Sequence, residues 1–121
     1  MLLLEDIKLY RLAMDIGELV FNTTIQWNIF NTKTLGDQYL RAAGSIALNI
    51  AEGYGRFHFK ENRNFCWYAR GSLLETKTAN KKAFNRKLIT EEEYTNLLNK
   101  LKECHLLLNS YIKSIGKPGS A

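Results

Sequence analysis

Apolar residues recur at helical spacing along nearly the whole chain, and the interruptions divide it into four segments. In the first, about residues 5–30, one face carries Leu9, Leu12, Ala13, Ile16, Leu19, Val20, Thr23 and Trp27, and Asn31-Thr32-Lys33-Thr34 breaks the pattern. The second runs from about Leu35 to Tyr54 with Tyr39, Ala43, Ile46, Ala47 and Ile50 on one side. It ends in Gly53-Tyr54-Gly55, where a glycine in the left-handed conformation is expected to close the helix. The third, about residues 60–87, brings Phe65, Cys66, Ala69, Leu73, Thr76, Ala83 and Phe84 together, and Leu88 and Ile89 lead out of it.

Thr90 followed three residues later by Glu93 is a capping box, so a fourth helix is predicted to start there. It buries Tyr94, Leu97, Leu98, Leu101, Cys104, Leu108, Ile112 and Ile115, and Gly116 and Pro118 stop it. Nothing alternates with period two for long enough to make a strand. Helices of about 20–28 residues are roughly 30–42 Å long. Joined by short loops, they predict an all-α, antiparallel up-down-up-down four-helix bundle. The expected domain is 1–116, with 117–121 as a flexible tail.

The first helix has more apolar surface than one core uses. Ile7, Tyr10, Met14, Phe21 and Ile25 form a second stripe, rotated by about 100–140° from the first. Either the helix sits deep between two neighbours or the stripe is a subunit interface. Self-association is the expectation taken, because an exposed stripe of this size is otherwise an aggregation hazard. The second helix carries a polar stripe of Gln38, Arg41, Ser45, Asn49, Glu52 and Arg56. Ser45 and Asn49 are short side chains that helix interiors do not favour, so something approaches closely there: another helix, or a ligand.

Composition adds little until it is divided by segment. The 121 residues are 45% hydrophobic and 24% charged, as in one ordinary globular domain, with a net charge of +5. Residues 61–89 alone hold seven basic and two acidic side chains, and the rest of the chain sums to zero. Within that third helix Arg63, Arg70, Lys77 and Lys81 lie within about 40° of one another, flanked by Trp67 and Leu74. A solvated helix face is the plain reading of such a row. A line of cations beside an aromatic ring also suits a phosphate backbone with unstacked bases.

Catalytic signatures are missing. There is no P-loop, no GxGxxG after a strand and no HExxH. Neither His58 nor His105 has the arginine four to six residues ahead that some small helical ribonucleases place there, and His105 falls on the apolar face of the last helix. Glu52 and Glu75 are able to face each other across two helices, but a di-metal bundle adds Glu-x-x-His motifs, and none occurs. Cys66 and Cys104 lack metal-ligand spacing and are expected as reduced core residues. No metal or cofactor is expected. The acidic residues right after Met1-Leu2-Leu3-Leu4 do not fit a secretory signal, and no apolar run reaches about 18 residues, so a cytoplasmic protein with no membrane partner is expected.

The run Gln38-Tyr39-Leu40-Arg41-Ala42-Ala43-Gly44-Ser45-Ile46-Ala47-Leu48-Asn49-Ile50-Ala51-Glu52-Gly53-Tyr54-Gly55-Arg56 resembles the signature of the four-helix-bundle proteins encoded by 23S rRNA intervening sequences. Ala69-Arg70-Gly71-Ser72-Leu73-Leu74-Glu75 resembles the second half of that signature. The matching positions are Gln38, Arg41, Ser45, Asn49, Glu52, Gly53, Gly55, Arg56, Gly71, Ser72 and Glu75. The resemblance implies a ring-like homo-oligomer, a pentamer, with a role alongside RNA. A related branch, the accessory proteins of diversity-generating retroelements, comprises basic pentamers that bind nucleic acid and partner with a reverse transcriptase. Relatives often carry a proline and an acidic pair where this chain has Asn31-Thr32-Lys33-Thr34. The functional expectation is a non-catalytic oligomer binding RNA through Arg63, Arg70, Lys77, Lys81, Trp67, Arg41 and Arg56. The alternative is a scaffold that docks a partner protein and binds no nucleic acid itself.

Overall fold

The computed structural model describes residues 3–117. Among them are four long helices and no strand: α1 (Lys8–Thr24), α2 (Asp37–Tyr54), α3 (Phe59–Asn85) and α4 (Glu91–Ser114). The expected tail falls outside the described residues except for Lys117.

The first helix is shorter than its pattern predicts. Leu4–Asp6 form a 3-10 turn, and Ile7 is extended before α1 begins. At the other end the Thr24 hydroxyl donates to the Val20 carbonyl at 2.9 Å and the chain turns through Gln26 and Trp27. Asn28, with ψ 168, then starts a new helix by accepting the Asn31 N–H on its side-chain oxygen at 2.9 Å. The break therefore lies upstream of Asn31-Thr32-Lys33-Thr34, which are themselves helical. Ile29–Asn31 are α-helical and Thr32–Gly36 form a π-helical segment running directly into α2. The two threonines do not break the helix, because their hydroxyls find carbonyls on the preceding turn: Thr34 donates to Phe30 at 2.8 Å and Thr32 to Trp27 at 3.4 Å.

Closure of α2 also differs from expectation. Gly55 is the C-cap, but its φ of −78° is right-handed. Gly53 is required for space instead. A Cβ there would lie 2.9 Å from the Asn62 carbonyl oxygen and 2.9 Å from the Phe65 Cβ, so only glycine lets α2 come this close to the start of α3. Left-handed backbone occurs at Lys87 and at Gly116. The Thr90–Glu93 capping box opens α4 with both of its hydrogen bonds made, at 3.1 and 2.9 Å.

Each helix touches two others: α2 meets α1 and α3, and α4 meets α3 and α1. The residues lining the shared core are largely those the spacing picks out, including Ile16, Val20, Ile46, Ile50, Leu73, Leu101 and Leu108. Phe65, Phe84, Tyr94 and Leu98 are only half-buried. Cys66 and Cys104 are free and buried, and burial pushes their thiols up to about 11 and about 12, so both stay protonated. His105 is half-buried at the bundle's edge. Two polar residues, Thr24 and Asn80, enter the core unannounced by the apolar pattern. Asn80 is fully buried, accepts the Tyr39 hydroxyl at 2.8 Å and donates to the Tyr94 carbonyl at 3.2 Å.

Candidate nucleic-acid interface

The spacing of Arg63, Arg70 and Lys77 by seven, with Lys81 four further on, places all four on one flank of α3. That flank adjoins α4. Arg63 donates from Nη1 to the Ile115 carbonyl at 3.4 Å, and Arg70 from Nη1 to Asn109 Oδ1 at 3.5 Å. The Lys81 ammonium sits 5.5 and 5.4 Å from the ring centres of Phe84 and Tyr94, which stack on each other. Lys77 and Lys81 are exposed, and the two arginines are half-buried.

All the partners of this row are neutral. Among the described residues, ion pairs join Lys8 to Glu103 and Arg56 to Glu52 and Glu61, and none involves the row. Carbonyl and ring contacts hold Arg63, Arg70 and Lys81 in place without cancelling their charge. The Arg70 guanidinium lies 4.4 Å from the ring centre of Trp67, which is 44% exposed. An arginine stacked on an accessible indole is a flat, cationic platform on which a nucleobase can stack.

The other expected contact residues are placed elsewhere. Arg56 is paired with Glu52 at 2.6 Å and Glu61 at 3.4 Å and lies over Phe65, so its charge is compensated within the chain. Arg41 is exposed on α2 beside a separate polar groove with Lys33, Asp37, Gln38, Ser45 and Glu75. Glu75 is about 120° round α3 from Arg63, so that groove and the cationic row face different ways.

The polar stripe of α2 is joined to α3. Ser45 and Ser72 share a hydrogen bond at 2.8 Å, Gln38 donates to Glu75 at 3.3 Å, and Gly53 meets Asn62. Asn49 turns back to the Ser45 carbonyl. The two halves of the sequence signature thus meet as one helix–helix seam, with Gly55 at its end; Gly71 faces open space. Glu52 and Glu75 are engaged by Arg56 and Gln38, and no cluster of three metal-ligating side chains is found among the described residues. Sequence reasoning missed Asn109 and Ile115 as partners of the arginines, because adjacency of α3 and α4 leaves no local signal in either helix.

On the α1–α2 side, Tyr10, Met14, Phe21, Leu40 and Leu48 line an open groove of about 320 Å³ floored by Gly17 and Gly44. Leu48 is 71% exposed there, and Ile25 lies nearby in the exposed turn after α1. No helix among the described residues is long and apolar enough to cross a membrane.

Comparison with solved structures finds a similar fold in a crystallised protein of unknown function from the S23 ribosomal protein family of Bacteroides thetaiotaomicron. The two are 23% identical with a TM-score of 0.78, over 87% of this chain and 98% of that one. No curated protein matches. The family model described as 23S rRNA-intervening sequence protein matches residues 5–110. Extending from the 3-10 turn to the last turns of α4, that match establishes that the chain belongs to the 23S rRNA-intervening sequence protein family.

Proposed function

We propose that this chain is a non-catalytic, cytoplasmic RNA-binding subunit, an antiparallel up-down-up-down bundle that self-associates into a ring, a pentamer. RNA contacts the outer flank of α3 through Arg63, Arg70, Lys77 and Lys81, with an unstacked base on Trp67. The observation that carries this reading is a row of four cations without an ion pair, in which Arg63, Arg70 and Lys81 have neutral contacts and Lys77 is exposed. It also accounts for the concentration of the whole charge excess in one helix. Partner docking through Ser45, Asn49 and Glu52 has less support, because those side chains are occupied within the subunit.

The α1–α2 groove supplies the apolar surface for self-association, and repeating the row around a ring multiplies weak phosphate contacts into avidity. In light scattering at micromolar concentration the mass should be a multiple of the 14.0 kDa chain; a clean monomer refutes the assembly. RNA affinity, measured by anisotropy against salt, should fall with a log–log slope near −3 per subunit for four phosphate contacts on a single strand. A slope near zero refutes phosphate contact by this row.

A further inference from the structure

We infer that the end of the bundle formed by the α2–α3 loop is a second contact for the RNA proposed above, one that takes an unpaired nucleotide by stacking it on Phe57. This inference rests on that reading and extends it to a site the α3 row does not include.

Phe57 is 90% exposed, more than any other large apolar side chain described, and Phe59 beside it is 60% exposed. Neither position is needed to close the core. Phe57 stands edge-on to His58 with ring centres 5.0 Å apart, which leaves a phenyl face to solvent. His58 occupies the N-cap position of α3, yet its side chain makes no capping hydrogen bond. The loop thus presents two aromatic rings that do little for the fold.

Charge decides between a base and an apolar partner. Glu52 and Glu61 share Arg56, a triad that keeps one net negative charge, which Lys60, Arg63 and Lys113 outweigh. Lys60 is exposed on the first turn of α3, and Arg63 follows one turn later at the head of the cationic row. Phe59 rests against Gly116 and Arg63 bonds Ile115, so the end of α4, with exposed Lys113, adjoins the same surface. Aromatic rings among uncompensated cations, continuous with the α3 row, fit a single strand whose phosphates follow Lys60 and Arg63 while one base leaves the stack for Phe57. A membrane surface needs a broader apolar face than one projecting ring.

The test uses the full chain with a fluorescein-labelled single-stranded oligoribonucleotide and an RNA duplex of equal length. Phe57→Ala, at a position contributing almost nothing to the core, should weaken single-strand binding by about 5- to 100-fold, the effect of losing one stacked base, and leave duplex binding unchanged. Phe57→Trp should retain wild-type affinity, and its indole fluorescence should be quenched when the single strand is added. Unchanged single-strand affinity in Phe57→Ala, with the wild type binding RNA, overturns the stacking site and spares the α3 row. Failure of the wild type to bind either RNA removes both readings. Loss of binding by Phe57→Ala to anionic phosphatidylserine vesicles alone overturns the proposal in favour of a lipid surface.

Discussion

Replacing Arg63, Arg70, Lys77 and Lys81 together with glutamate is expected to weaken RNA binding more than about 100-fold while leaving the helical circular-dichroism signal intact. The substitution removes four phosphate partners and puts four like charges in their place, so attraction along the flank becomes repulsion. The helix itself tolerates the change, because arginine, lysine and glutamate have similar helix propensities. What the fold loses is the long hydrogen bonds of Arg63 to Ile115 and Arg70 to Asn109, and the stacking of Arg70 on Trp67 and of Lys81 beside Phe84 and Tyr94, the ring contacts worth about 0.5–1 kcal/mol each at exposed positions. RNA affinity unchanged in the quadruple variant, by anisotropy at fixed salt, shows that this flank is not the interface. Arg41→Ala is the internal control: Arg41 is exposed on α2 beside the groove that faces away from the row, so its removal should change affinity far less.

The second large effect is on stability. Gly53→Ala should cost about 3 kcal/mol and lower the melting temperature by roughly 10 °C, since the new methyl meets backbone and a Cβ that cannot move without parting α2 from α3. Gly71 belongs to the same sequence signature and provides the contrast. Nothing lies within 4 Å of its would-be Cβ, so Gly71→Ala should stabilise α3 by about 0.5–1 kcal/mol through helix propensity alone. Thermal melts of the two variants check both statements. Equal melting temperatures contradict the assignment of Gly53 to close helix contact.

These two glycines show what was and was not readable beforehand. The core faces and the Thr90 capping box are periodic or local signals, and the structure reproduces them. Gly53 stood out as a helix-ending glycine, but its actual constraint is a neighbour nine residues along the chain on the next helix, which no local rule reports. The misplaced break after α1 has a similar cause. Asn31-Thr32-Lys33-Thr34 is poor helix-forming sequence, yet Asn28 caps upstream of it and the threonine hydroxyls are satisfied within the helix. Of the site, the cationic row follows from spacing alone. That its partners are neutral, and that Arg56 is neutralised, depends on which helices adjoin and emerges only from the folded chain.

The link from Tyr39 to Asn80 has a mechanical consequence. The buried side of α2 is built from Ala42, Ala43, Ile46, Ala47 and Ile50 beside Tyr39, and apolar contacts of this kind are not directional. A shift of one helical turn, about 5.4 Å, would still set apolar side chains against apolar side chains. It would also strand a buried phenol and a buried amide without partners, at about 1–3 kcal/mol for each group. That phenol–amide pair therefore acts as a detent. It fixes the sliding position of α2 on α3, and so the height of Trp67 and the four cations relative to α2.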